Sequence, residues 1–130
     1  MRFVDKIILH CSDSDVEAHD NLETIEEWHK QRGFTECGYH FIIQKNGVIE
    51  MARPIEKIGA HCKGKNTGSI GICLCGAKEF TEAQFTSCRR LVKMLMQFTP
   101  KMEVFGHCDF SVKKYYCPGF DYMREVVNKL

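Results

Sequence analysis

Apolar residues cluster or alternate in five short segments of the chain, and this pattern predicts five β-strands. Residues 6–11 are rich in β-branched side chains, which favour a strand. Residues 39–44 and 48–53 alternate on either side of an Asn-Gly pair, which is typical of a hairpin turn. Residues 69–75 are almost continuously apolar, as in a strand buried on both faces, and residues 103–108 form the last predicted strand.

Apolar residues at helical spacing predict three helices. The first covers residues 22–32, with Asn21 as its N-cap. The second runs from Thr81 to Phe98 and is predicted to end before Pro100, and a short third helix is predicted over residues 120–129. Together these elements predict an α/β (mixed) fold, in which a central mixed β-sheet of about five strands is flanked by about three helices.

The length and composition are those of an ordinary globular domain. The chain has 130 residues, of which 44% are hydrophobic and 27% charged, so we expect a single domain over residues 1–130. The net charge of +1 argues against a nucleic-acid-binding surface, and no apolar run approaches the ~20 residues of a membrane span. Because the N-terminus lacks the pattern of a signal peptide, the eight cysteines are predicted to be mostly reduced thiols. Five of them are expected to pack as small apolar residues, namely Cys11, Cys73, Cys75, Cys88 and Cys108.

Three potential metal ligands lie at the predicted ends of structural elements. His10 and His107 each end a predicted strand, and Cys117 lies ten residues after His107, just before a predicted helix. Two imidazoles and one thiolate could hold a zinc ion and leave its fourth position open, as in catalytic zinc sites. The spacing is equally compatible with two core histidines and a buried cysteine, so the pattern leaves both interpretations open.

Four other side chains could lie near such a site. Tyr39 opens a predicted strand, where its phenol could face a substrate carbonyl or could simply pack in the core. His40 alternates away from Tyr39 and is expected to be structural, whereas His29 is expected to be a partly exposed surface residue. His61 lies in a glycine- and lysine-rich loop over residues 54–68, and polar side chains in such loops either contact ligands or are simply solvated.

Seven segments of the chain, in this order, resemble those of a known enzyme family. The chain is similar to the zinc-dependent N-acetylmuramoyl-L-alanine amidases of the phage-lysozyme type, which share their fold with the peptidoglycan recognition proteins. The resemblance extends from about residue 6 to residue 122. Its segments are ILHCS at 8–12, WHK at 28–30, GYHFII at 38–43, GAHCKGKN at 59–66, SIGICL at 69–74, GH at 106–107 and CPGFD at 117–121.

The resemblance implies both the reaction and the residues that carry it. The reaction would be hydrolysis of the amide between N-acetylmuramic acid and L-alanine in peptidoglycan, by a bacteriolytic, endolysin-like and therefore antimicrobial enzyme. Its cofactor would be Zn²⁺, bound by His10, His107 and Cys117, with Tyr39 assisting catalysis. The groove for the muramyl peptide would be lined by His61, Lys63, Asn66 and Lys113. We expect a monomer that stays in the cytoplasm until it is released to the cell wall, with no nucleic-acid partner and no membrane insertion.

The chain departs from the family pattern at one position. Amidases of this type often carry a lysine two residues before the ligand cysteine, and that position is Tyr115 here. Lys113 and Lys114 lie close by, and we favour Lys114 as the catalytic cation because it is nearer to Cys117 in sequence. Two alternatives come from other functional classes. One is a peptidoglycan-binding module without catalysis, and the other is a hydrolase with Cys117 as nucleophile and His107 as its base.

Overall fold

Five strands form one mixed sheet in the computed structural model, which describes residues 2–99 and 101–130. The strands are β1 (Lys6–Cys11), β2 (Phe41–Ile43), β3 (Ile49–Met51), β4 (Ser69–Leu74) and β5 (Glu103–Gly106). The α-helices are α1 (Leu22–Gln31), α2 (Glu82–Phe98) and α3 (Tyr122–Glu125). The predicted α/β class, with a mixed sheet of five strands and three helices, is confirmed.

The order of the strands brings four of their carboxyl ends to one edge of the sheet. The order is β3-β2-β4-β1-β5, in which β2, β4, β1 and β5 are parallel neighbours and β3 is antiparallel to β2. The β2–β3 hairpin turns at the predicted Asn-Gly pair, where Gly47 adopts φ +89°, a conformation that favours glycine. In register, His10 of β1 lies opposite Cys73 of β4, and Leu9 lies opposite Gly106 of β5. His10 and His107 therefore meet at the same edge.

The pleat of the strands divides the buried side chains between two faces of the sheet. On one face, Leu9 of β1 and Ile72 of β4 belong to the larger apolar core together with Leu91 of α2. On the other face, α1 covers the sheet through a smaller apolar cluster that includes Ile25 of α1 and Ile42 of β2. His10, the candidate functional residue of β1, alternates with Leu9 and therefore faces this second side.

Both long helices begin at the residues that the sequence predicts. The Asn21 side chain accepts a hydrogen bond from the Thr24 N–H at 2.8 Å. Thr81 and Gln84 form a reciprocal capping box at the start of α2. Pro100, which is predicted to end this helix, lies outside the described residues.

Several predicted elements have different ends in the structure. Strands β2 and β3 are shorter than the predicted segments 39–44 and 48–53. The last strand stops at Gly106, so His107 is the first residue of a 3-10 turn, His107–Asp109, and not the end of a strand. The predicted helix over residues 120–129 is α3 followed by a separate 3-10 turn, Val127–Lys129. All eight cysteines are free. Cys11, Cys73, Cys75 and Cys88 are buried as predicted, whereas Cys108 is partly exposed. Across residues 2–99 and 101–130, the structure contains no helix with the length and apolar character needed to cross a membrane.

Candidate metal centre and its cleft

Three separate elements bring His10, His107 and Cys117 together. His10 is the penultimate residue of β1, and His107 begins the turn after β5. Cys117 is held by its backbone, because its carbonyl accepts from the Cys108 N–H and its own N–H donates to the Lys114 carbonyl, both at 2.9 Å. The potential ligand atoms of the three residues all lie within 4.8 Å of one another. The Nδ1 atoms of His10 and His107 are 3.2 Å apart.

The chemistry of this donor set fits a zinc ion. Two nitrogen ligands of a tetrahedral zinc ion, each at about 2.1 Å, lie about 3.4 Å apart, slightly more than the observed Nδ1–Nδ1 separation of 3.2 Å. The third donor is a thiol, whose Sγ accepts a hydrogen bond from the Cys11 N–H at 3.4 Å. The thiol of Cys11 and burial raise the pKa of the Cys117 thiol. A cation beside Cys117 would therefore be needed to stabilise its thiolate.

Both histidines of this group are neutral at physiological pH. Burial, followed by the nearby imidazoles of His61 and His107, holds the pKa of His10 well below its usual range. Burial and the charge of Lys114 lower the pKa of His107. A neutral imidazole is the form that binds a metal, so neither residue has to lose a proton before it can act as a ligand.

Tyr39 lies beside His10 and lines the same cleft. It occupies the bend just before β2, and its ring centroid is 4.9 Å from that of His10. Burial raises the pKa of the Tyr39 phenol well above its usual value. The phenol is therefore protonated at physiological pH and available as a hydrogen-bond donor.

A cleft of about 430 Å³ opens above the three potential ligands. His107 and Cys117 form part of its floor, whereas His10 is almost completely buried beneath it. Every residue that the sequence assigned to catalysis or substrate binding lines this cleft. These residues are Tyr39, His61, Lys63, Asn66, Lys113 and Lys114.

The two candidate lysines differ in their electrostatic relation to the metal centre. Both are exposed and both line the cleft. The charge of Lys114 contributes to the lowered pKa values of His10 and His107. The Lys114 ammonium also lies 3.3 Å from the Tyr116 hydroxyl, which it can reach as a donor. Tyr115, at the position where the family often carries lysine, is 79% exposed.

Three histidines outside the ligand set are buried and hydrogen-bonded. The expectation that His29 is a partly exposed surface residue is wrong, because its Nδ1 accepts the Gly38 N–H at 2.8 Å and burial lowers its pKa to about 4. His40 is structural as expected, since its Nδ1 accepts the Gly71 N–H at 3.0 Å. The ring of His61 is buried inside its loop, and its Nδ1 lies 2.8 Å from Nε2 of His10.

Sequence reasoning missed several residues that line the cleft. Arg32 and Phe34 follow α1 and form one wall, where the guanidinium carbon lies 5.4 Å from the Phe34 ring centroid. A cation at the end of a helix is usually explained by the helix dipole, so the sequence carries no separate signal for this position. Asp13 lines the cleft as well, and its positive φ of 63° marks a tight turn after β1.

Solved structures of other proteins share the fold of this chain. The N-acetylmuramoyl-L-alanine amidase LysC from Clostridium intestinale URNW superposes with a TM-score of 0.85 at 29% identity, covering 95% of this chain and 83% of that chain. Drosophila PGRP-LB has the same fold, with a TM-score of 0.78 at 23% identity over 91% of this chain and 76% of its own. The chain therefore has the fold shared by these amidases and the peptidoglycan recognition proteins.

The sequence comparisons identify the family. The profile of the N-acetylmuramoyl-L-alanine amidase family, Amidase_2, matches residues 1–120. The endolysin of Klebsiella phage KP32 is 36% identical over 128 residues, which cover 92% of this chain and 83% of that protein. This chain belongs to the N-acetylmuramoyl-L-alanine amidase family, and the resemblance noted in the sequence is confirmed.

Proposed function

We propose that this protein is a zinc-dependent N-acetylmuramoyl-L-alanine amidase that cleaves the bond between N-acetylmuramic acid and the L-alanine of the stem peptide. The observation that carries the proposal is the convergence of His10, His107 and Cys117, with donor atoms within 4.8 Å, at the base of an open cleft. Family membership supports the amidase chemistry. The nature of the donor set supports zinc as the metal.

Zinc would be held by Nδ1 of His10, Nδ1 of His107 and Sγ of Cys117. When bound, it would supply a Lewis acid and lower the pKa of water towards ~7. The protein contributes neutral imidazoles and a backbone N–H, that of Cys11, which donates to the sulfur at 3.4 Å. Because His10 and Cys117 are buried, solvent reaches the centre through the cleft.

Two side chains are suited to stabilise the negative charge that develops on the scissile carbonyl oxygen. The protonated phenol of Tyr39 is a donor in a partly dehydrated position, where a hydrogen bond to an oxyanion is strongest. Lys114 brings a positive charge to the same cleft. We assign catalytic roles to both.

The polar rim of the cleft would bind the muramyl peptide. Lys63 and Lys113 are exposed and can pair with carboxylates of the stem peptide. Asn66 lines the cleft while its Oδ1 accepts the N–H groups of His61 and Cys62, both at 2.9 Å. Its amide NH₂ group can therefore still donate to a substrate. We assign His61 to the same wall.

Two features argue against the alternative functions. A catalytic thiol is normally accessible and has a lowered pKa, whereas Cys117 is buried and its thiol pKa is raised. This disfavours a cysteine nucleophile. A module that only binds peptidoglycan would not need a complete set of three metal-binding donors beneath the cleft, and this set is present.

We further propose that the protein acts as a monomeric endolysin over residues 1–130, which stays in the cytoplasm until it is released to the cell wall. The relationship to phage endolysins supports this role. An analytical ultracentrifugation run at several concentrations would test the monomer, and a dimer that persists on dilution would contradict it.

The amidase proposal is tested by metal analysis combined with product analysis. The purified protein should contain one zinc per chain, lose activity on chelation and regain it with zinc. Digested peptidoglycan should yield intact glycan strands and free peptides that begin with L-alanine. A metal-free preparation with full activity would contradict the zinc dependence. New reducing sugar ends without free peptides would contradict amidase chemistry.

A further inference from the structure

His10 uses both of its ring nitrogens, and only one of them faces the proposed metal centre. Nδ1 lies 3.2 Å from Nδ1 of His107, on the side of Cys117. Nε2 points the other way and lies 2.8 Å from Nδ1 of His61. A neutral imidazole carries a single proton, so His10 can offer Nδ1 to a metal only when its proton is on Nε2.

A chain of hydrogen bonds beyond His10 determines where that proton lies. Nε2 of His61 is 3.3 Å from the Ser69 hydroxyl, which in turn is 2.7 Å from the backbone carbonyl of Lys65. A carbonyl can only accept, so the single hydroxyl proton of Ser69 is donated to it. The Ser69 oxygen must then accept from Nε2–H of His61. His61 Nδ1 is left as an acceptor, and it accepts from Nε2–H of His10.

We propose that His61, backed by Ser69, is a positioning residue that holds the proton of His10 on Nε2 and thereby keeps Nδ1 of His10 available as a metal ligand. The inference rests on the proposed metal site. It adds a second role to the place of His61 in the cleft wall, namely that of the residue behind a metal ligand. Metal-binding histidines commonly donate their second N–H to a carboxylate or a carbonyl, and here an imidazole takes that place.

The residues around His61 hold its ring in this position. A Cβ atom on Gly71 would come within 2.6 Å of the His61 ring, and one on Gly59 within 2.7 Å, so the ring occupies space that only glycine leaves free. The backbone of the loop is held at the same point, because the His61 N–H donates to Asn66 Oδ1 at 2.9 Å. Ser69 is completely buried.

Two substitutions separate the hydrogen bond from the packing of the ring. His61→Phe keeps an aromatic ring of similar size but removes the acceptor. His61→Asn removes the ring but keeps an acceptor, since its Oδ1 is the same number of bonds from the backbone as Nδ1 of histidine. His19→Asn is the matched control, because His19 also pairs with a serine hydroxyl, that of Ser14 at 2.8 Å, but lies outside the cleft.

The measurement is the zinc dissociation constant of each folded variant, obtained by competition with a chromophoric chelator. We expect His61→Phe to weaken zinc binding by about 10–100-fold, the usual effect of removing a residue that supports a ligand. His61→Asn should stay within a few-fold of the wild type, as should His19→Asn. Wild-type affinity in His61→Phe would overturn the inference. Equal weakening in His61→Phe and His61→Asn would also overturn it, because an acceptor at this position would then not preserve zinc binding.

Failure of the inference can be distinguished from failure of the proposed function. If the wild type binds no zinc, the two fail together. If the wild type binds zinc and His61→Phe binds it equally well, only the inference fails. Nitrogen-15 NMR of the zinc-loaded wild type provides a test without any substitution. We expect the ring protons of His10 and His61 on Nε2, and a proton on Nδ1 of His61 would overturn the proposal.

Discussion

The two faces of the central sheet differ in how their buried side chains are stabilised, although alternate residues of the same strands supply both. On the face covered by α2, Ile7 and Leu9 of β1 and Ile72 of β4 pack in a continuous apolar core. On the other face, the same strands present His10 and Ser69, which are equally buried but are held by hydrogen bonds. Adjacent residues of one strand therefore belong to different faces. Leu9 lies on what we call the apolar face, and His10 lies on the polar face.

The two faces differ in the substitutions that they can tolerate. In an apolar core, residues of similar volume can replace one another at modest cost. A buried polar group needs a particular partner, and among the described residues every buried side-chain nitrogen and oxygen has one. Substitutions on the apolar face should therefore affect stability, whereas substitutions on the polar face should affect metal binding and turnover.

The largest effect is expected when one proposed metal ligand is removed from the polar face. His107→Ala removes one of the three donors, so zinc affinity should fall by more than the ~10–100-fold that follows loss of a supporting residue. Turnover should drop to background. Because His107 is only partly buried, the melting temperature of the metal-free protein should barely change. Chelator competition and thermal unfolding measure the two effects, with His19→Ala as the control, and unchanged zinc affinity would contradict the site.

The complementary substitution leaves a cavity in the core on the apolar face. Leu91 of α2 is 2% exposed and belongs to the large core. Leu91→Ala should lower the free energy of unfolding by about 2–5 kcal/mol, through lost apolar contact and a residual cavity. Urea unfolding measures this loss, while zinc affinity and turnover of the folded protein should match those of the wild type. A folded variant with weakened zinc binding would show that the two faces are coupled.

Acid should destabilise the fold through a buried histidine on the polar face. Burial lowers the pKa of His40 to about 4, from about 6.5 for a histidine in an unfolded chain. As the pH falls, the unfolded chain therefore takes up a proton on His40 before the folded chain does. The contribution of neutral His40 to the free energy of unfolding is present above pH 6.5 and is lost as the pH falls towards 4. The full loss amounts to about 3 kcal/mol for this residue, of which about 2 kcal/mol falls between pH 7 and pH 4.5. Urea unfolding at pH 7 and at pH 4.5 should show it, and Leu91→Ala should show the same pH dependence from a lower starting value.

The sequence predicts the two faces unequally well, for physical reasons. Strand β1 and the starts of α1 and α2 follow from apolar periodicity and capping residues, which are local signals. The proposed metal centre is non-local, because His10 and His107 are separated by 97 positions in sequence. Spacing alone left their convergence open, and the family resemblance was needed to infer it.

The burial of two histidines could not be predicted, because it depends on contacts with distant parts of the chain. His61 lies in a segment whose glycines and lysines are typical of a solvated loop, yet its ring is buried against β4. That burial depends on the contact with His10 and on the absence of a side chain at Gly71, and neither is encoded near His61. His29 was missed for a similar reason, since its partner is the backbone N–H of Gly38 beyond the end of α1.

Removal of one hydroxyl group tests whether chemistry on the polar face extends beyond the metal ligands. Tyr39→Phe should leave fold and zinc content intact, because the ring still packs beside His10. If the phenol stabilises the oxyanion, turnover should fall by ~100-fold or more, the scale for one such donor. Steady-state kinetics on a defined muramyl peptide measures this. Unchanged turnover would assign Tyr39 to packing.

The smallest expected effect concerns the exposed rim, where the polar face meets solvent. Lys114 and Lys113 are adjacent and both line the cleft, but only the charge of Lys114 contributes to the lowered pKa of His107. Lys114→Ala should therefore reduce turnover by about 10–100-fold, at or below the scale of a buried oxyanion donor, because solvent screens an exposed ammonium.

Lys113→Ala is the matched control, and it should mainly raise KM. Zinc content and melting temperature should stay constant in both variants, since neither side chain is buried. The difference between the two variants should also shrink as ionic strength rises. Equal turnover in the wild type, both single variants and the double variant would show that no lysine of this loop takes part in catalysis.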